Sequence, residues 1–214
     1  MPTIEPHLSD KMQNELAHAR TMHEFITQSF PSTITIANNR TNILAAYVHL
    51  ASDLYGSILQ LIAGGGPYDG GAFALVRPLV EASVMAQWLY FCASDDNVQR
   101  AYVGEDIDPG LPNMMDSLDR AIGGPVFAKL RDKVKTLHGF THGGIEQLGR
   151  RFDAEGNLRA NYSDEEKIEV LRSTTSTFTL LSMVFCRVMS AEPETDTRST
   201  GVEAKFAALY GTST

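Results

Sequence analysis

Apolar residues recur at three- and four-residue steps along most of the chain, the spacing of amphipathic helices, and no stretch alternates reliably enough to predict a sheet. Ser9 offers a cap for a first helix running to about Phe30, with Met12, Leu16, Ala19, Ile26 and Phe30 on its inward stripe and Pro31 as its stop. A second helix is predicted over roughly Asn38 to Ala63, burying Ile43, Leu44, Tyr47, Leu50, Leu54, Ile58, Leu61 and Ile62. Gly64, Gly65 and Gly66 end it; with no strand before them and no Lys-Ser/Thr after them, they predict a helix stop and not a phosphate-binding loop. The stretch from Tyr68 to Phe91 differs from its neighbours, because only Arg77, Glu81, Ser83 and Gln87 interrupt an apolar surface on every side. A helix hydrophobic all round is a buried helix, so this one is expected to be the most buried member of the fold. Arg77 and Glu81, four apart, share one of its faces and would put charge at the centre of the protein, and Pro78 between them removes a backbone donor and predicts a bend.

Beyond it, Ser94 caps a short helix to about Val103, and GEDIDPGLP is turn chemistry before another short helix around Met114 to Ile122. Gly123, Gly124 and Pro125 break the chain ahead of a helix whose inward face is Phe127, Leu130, Val134 and Leu137, closed by Gly143 and Gly144. Residues 147–162 form a polar excursion, a small hairpin with Glu155-Gly156-Asn157 at its turn; its Arg150, Arg151 and Arg159 are the densest basic patch, read as a solvated loop in preference to a binding surface. Ser163 to Glu166 has the spacing of a capping box and opens a long helix to about Met189, with Ile168, Leu171, Phe178, Leu181, Phe185 and Val188 inward. The run STTSTFT within it weakens helicity, so packing must hold it. A polar linker and the short helix VEAKFAALY follow. The fold class expected is all-α: one helical bundle over residues 1–214, of four to five long helices plus short ones.

Composition narrows the setting. Hydrophobic residues at 43% and charged residues at 21% are ordinary for a globular protein, and a net charge of -8 argues against extended nonspecific nucleic-acid binding. Cys92 and Cys186 sit in apolar helical runs, as inert core thiols do, which fits a reducing compartment. The N-terminus lacks a basic region followed by an apolar run, and Arg77 and Glu81 would be costly in lipid, so the expectation is a soluble cytoplasmic protein with no membrane partner.

Candidate chemistry gathers on the helix after Pro125. Arg131, His138 and His142 return to nearly one direction through steps of seven and four residues, giving a polar stripe about three turns long, loosened at its end by Gly139, Gly143 and Gly144. Arg131, His138 and His142 are expected to converge with Arg77 and Glu81 where the two helices cross, because charges among apolar residues need partners. One use of such a cluster is structural: the histidines complete a buried polar network. A metal site built on His138, His142 and Glu81 lacks the glutamate that zinc proteases place after the first histidine, Gly139 standing there, and the arginines would repel a cation; no metal and no cofactor is expected.

Arg131-Asp132 followed after five residues by His138 resembles the Arg-polar-x-His signature of the HEPN superfamily, helical bundles that include metal-independent ribonucleases of toxin and antiphage systems. VRPLVEASVMAQWLY followed by LHGFTHGG also resembles a group of uncharacterised bacterial helical proteins, from Ala37 to Met189. The HEPN resemblance implies RNA as partner, His138 moving protons, Arg131 stabilising charge on the phosphate, Asp132 orienting its neighbours, His142 as a second proton-transfer group, Arg77 as a second phosphate contact, and a homodimer. The alternative class is a non-catalytic helical module that binds a small molecule or a protein partner, with a closed pocket lined by Trp88, Tyr47 and His142.

Overall fold

In the computed structural model, residues 8–31, 38–128, 130–131, 148–152, 161–190 and 197–211 are described. They form seven α-helices and no strand. α1 (Asp10–Ser29) starts where Ser9 Oγ accepts the Met12 N–H at 3.3 Å, and its buried stripe is Met12, Leu16, Ala19, Met22 and Ile26. α2 (Asn39–Gly64) opens on a capping box between Asn38 and Thr41. It stops as the glycines predict: Gly65 takes φ 63°, its N–H bonds the carbonyls of Leu61 and Ile62, and a single 3-10 turn (Gly66–Tyr68) leads into α3 (Asp69–Phe91).

The buried face of α2 is rotated from the expected one. Leu50 is exposed and Tyr47, Leu54 and Leu61 are half-buried, whereas Leu44, Val48, Ala51, Tyr55, Ile58 and Ile62 are buried. Both registers satisfy helical spacing, so the periodicity could not choose between them; α1, α3 and α6 pack on α2 and fix the choice.

α4 (Asp95–Tyr102) is capped by Ser94, and α5 (Leu111–Ile122) begins three residues earlier than expected because Pro112 fits its first turn. Gly123, at φ 73°, ends α5, and the Phe127 N–H donates to Asp119 Oδ1 at 2.7 Å, turning the chain into a new helical start at residues 128 and 130–131. Of the excursion at 147–162 only the ends are described: the Asn161 N–H donates to the Arg150 carbonyl at 2.9 Å, while the expected turn at Glu155-Gly156-Asn157 and Arg159 lie outside the described residues. α6 (Asp164–Val188) opens on the predicted Ser163/Glu166 capping box, and α7 (Arg198–Tyr210) starts four residues before the expected VEAKFAALY.

Two hydrophobic clusters share α3. One joins α1, α2, α3, α6 and α7 around Tyr55, Phe178 and Phe185; the other joins α3, α4 and α5 around Val84, Trp88, Met114 and Phe127. Serving both explains why α3 is apolar on two sides: Val76, Val80, Val84 and Trp88 are all buried. α1, α2 and α6 are also tied by a polar contact, since Tyr55 Oη lies 2.6 Å from Thr175 Oγ1 and 3.1 Å from the Ala19 carbonyl, and Thr175 Oγ1 lies 2.6 Å from the Leu171 carbonyl. Three contacts share two hydroxyl hydrogens, so the pair chooses between two proton arrangements.

Candidate functional site

Of the residues the sequence singles out, Arg77, Glu81 and Arg131 are described, while Asp132, His138 and His142 lie outside the described residues. Arg77 Nε donates to Glu81 Oε1 at 2.7 Å, with the side chains 19% and 39% exposed. This corrects the expectation of charge at the protein's centre. Ala74, Arg77, Pro78, Glu81 and Met85 form one half-buried stripe along α3, the arc that neither hydrophobic cluster covers completely. Arg131 Nη1 pairs at 2.6 Å with Asp116 Oδ1 of α5, a partner the spacing gave no reason to expect. No hydrogen bond or ion pair joins Arg131 to Arg77 or Glu81 among the described residues.

A concave feature beside this region is a cleft of about 600 Å3 between α3, the group Val126, Phe127 and Leu130, and α6. Ser83, Val84 and Gln87 line its α3 wall, Val126, Phe127 and Leu130 a second wall, and residues of α6 from Glu165 to Leu180 the third, with Lys11 of α1 at the edge. Ser83 is 1% exposed and its Oγ has no hydrogen-bond partner. Gln87, also buried, donates from Nε2 to the Ser83 carbonyl at 3.0 Å. On α6, Ser176 Oγ donates to the Arg172 carbonyl at 2.8 Å and Thr177 Oγ1 to the Ser173 carbonyl at 2.9 Å. The Arg172 guanidinium points at α1, with Nε and Nη2 2.9 and 2.8 Å from Oε2 of the buried Glu15.

Ser83 and Gln87 were legible in part: they are two of the four polar interruptions in α3 and, four apart, share a face. The aromatic residues expected around a pocket are placed elsewhere. Trp88 is buried in the second cluster and Tyr47 packs against both clusters, and neither lines the cleft among the described residues.

Further ion pairs gather at the start of α6. Arg150 pairs with Glu166, Arg151 lies 2.9 Å from where a Cβ on Gly70 would stand, and buried Lys167 is 2.9 Å from Asp164 and 3.9 Å from Asp69. Burial pushes the Asp69 carboxyl up from its ordinary range, partly offset by Lys167. Among the described residues there is no group of three or more His, Cys, Asp or Glu that could hold a metal ion.

Residues 48–210, from within α2 to the end of α7, match the model of a family of unknown function, DUF6988. The chain belongs to DUF6988. The DUF6988 match spans α3, α6 and the segment between them, so the walls of the cleft are family structure; Lys11 and Glu15 precede it. No curated protein matches the chain, and no solved structure does. No helix among the described residues is long and apolar enough to cross a membrane.

Proposed function

We propose that this DUF6988 protein is a non-catalytic helical module that binds a small molecule in the cleft between α3 and α6. The observation that carries this reading is the cleft itself: about 600 Å3, within the range of small-molecule sites, apolar over much of its lining, and holding a buried hydroxyl with no partner in Ser83. Charge placement supports it. Two arginines that a nuclease would turn toward phosphate, Arg77 and Arg131, are each held by a carboxylate, and the chain carries a net charge of -8. Cys92 and Cys186 are free thiols, which supports a cytoplasmic setting.

The test is thermal denaturation of the purified chain against a set of small amphipathic compounds. A ligand at a hundredfold excess over its Kd should raise the melting temperature by about 5–10 °C, and the rise should vanish in Ser176→Trp, which fills the cleft from an exposed position.

The second reading is a HEPN-like, metal-independent ribonuclease, favoured by Arg131-Asp132 preceding His138 and by the partial exposure of the Arg131 side chain, at 37%. In it His138 and His142 move protons, Arg131 and Arg77 contact phosphate, Asp132 orients them, RNA is the substrate and a homodimer assembles the site. RNA cleavage without metal, lost in both Arg131→Ala and His138→Ala with helical circular dichroism intact, would replace the module with the nuclease.

A further inference from the structure

We infer that the outer face of α2 is the contact between two copies of this chain, packed α2 against α2 in antiparallel sense about a two-fold axis beside Asp53; the inference does not depend on what the cleft binds. α2 carries two seams. One, Leu44, Val48, Ala51, Tyr55, Ile58 and Ile62, is buried in the first hydrophobic cluster. The other advances by seven residues along each of two rows: Tyr47, Leu54 and Leu61 are half-buried, and Leu50, Ser57 and Gly64 are exposed, Leu50 to 46%. A seven-residue repeat held on one face is the spacing of helices that pack lengthwise on each other. α3 is apolar on two sides because it is covered on two sides; on α2 the second seam stands open among the described residues.

The shape, charge and size of this face fit a second copy. Leu50 stands out from it, and two turns further along Ser57 lies in a groove of about 760 Å3, between His23 of α1 and Leu75 of α3, with Gly56 beside it. A two-fold axis between Asp53 and Leu54 sets each Leu50 over the other copy's Ser57, so one knob and one hole make both halves of the contact, as an isologous interface requires. From Ala46 to Gly64 Asp53 is the only charged residue, although 21% of the chain is charged. Two molecules of net charge -8 repel least where they meet on a face of this kind, whereas a basic partner would gain little here from the acidity of the chain. The face is about 27 Å long at the helical rise and about 20 Å wide with its shoulders on α1 and α3, so a pair buries about 1,000 Å2, the lower limit for a specific interface. The two Asp53 carboxylates come together beside the axis and hold the affinity down.

The experiment is sedimentation equilibrium of the full chain from about 1 μM to about 1 mM, where a monomer–dimer equilibrium with a Kd of about 10–100 μM is expected. Leu50→Glu, at an exposed position, should weaken the dimer at least about tenfold and leave the melting temperature of the dilute protein unchanged. Asp53→Asn should tighten it about threefold at low salt. Under mild oxidation, a mixture of the Leu50→Cys and Ser57→Cys chains should form disulfide-linked dimers faster than either variant alone. A monomer throughout the range, a dimer as strong in Leu50→Glu as in the parent, or Leu50→Cys linking to itself in preference to Ser57→Cys would each overturn the inference. If Leu50→Glu lowers the melting temperature, Asp53→Asn decides in its place, and a dimer no tighter in that variant would overturn it.

Discussion

Glu81→Ala measures how far the charged pair on α3 is removed from water. If Arg77 and Glu81 stood at the centre of the bundle, deleting the carboxylate would strand a desolvated guanidinium at a cost of about 3–5 kcal/mol. The structure gives a different magnitude. The contact is short, 2.7 Å, but the Glu81 side chain is 39% exposed, so water screens the interaction and solvates much of what remains. The pair is also oriented with the cation N-terminal to the anion, the weaker sense along a helix, where i,i+4 pairs contribute about 0.3–0.5 kcal/mol. Alanine's better helix propensity offsets part of that. Glu81→Ala should therefore change the unfolding free energy by no more than about 0.5 kcal/mol, with an unchanged denaturant slope, and the small difference should shrink at high salt. Urea denaturation followed by circular dichroism at neutral pH reads this directly. A loss above about 2 kcal/mol, independent of salt, would refute the half-buried placement.

Arg40→Met should cost far more, about 3 kcal/mol, because Nη1 donates to the Leu89 and Tyr90 carbonyls at 2.7 and 3.4 Å and Nη2 to the Ala93 carbonyl at 2.8 Å, closing the end of α3. Asp95→Ala, removing a carboxylate 97% exposed on the same guanidinium, should leave the urea midpoint nearly unchanged; equal losses from the two variants would assign the effect to the ion pair and not to the carbonyls. His23, whose imidazole is held below its ordinary 6.5 chiefly by burial, binds fewer protons folded than unfolded just below that value, so stability should fall as pH drops through this window. His23→Gln should remove that part of the pH dependence in titrations of unfolding free energy, and an unaltered slope would show that His23 is not its source.

The sequence made α3 legible because all-round apolarity has one common cause, cover on more than one side. It could not say how complete the cover is, which is why Arg77 and Glu81 were expected at the centre and stand on the half-buried stripe between Ala74 and Met85. Caps and stops were legible because they are local: Ser9, Ser94 and Ser163 bond their own first turns, and Gly65 takes the left-handed φ that a side chain resists. Arg40 and Arg131 were illegible for the opposite reason. The carbonyls that Arg40 reaches lie 49 to 53 residues away, and the Asp116 that meets Arg131 sits on another helix, so no spacing records either pairing.

The hydroxyl residues of α6 look at first like a defect of the sequence, since Ser and Thr weaken helices by competing for backbone groups. In the fold Thr174, Thr175, Ser176, Thr177 and Ser182 each place a hydroxyl within 2.6–2.9 Å of the carbonyl four residues back, so even the buried ones are satisfied within their own helix. Self-satisfaction is thus available to a helical hydroxyl, and Ser83 on α3 does not use it. Burial alone does not explain the exception, because Thr174 is as buried as Ser83 and bonds its helix. Glu15 and Asp69 also leave one buried oxygen without a bond, but in each the second oxygen faces a cation, Arg172 or Lys167. Nothing in the structure explains Thr179, whose hydroxyl is also without a partner away from the cleft's described lining. Ser83 differs from all of these in belonging to a residue of the cleft's wall. Local rules that fail where a cavity could supply the missing partner are the failures expected at a binding site.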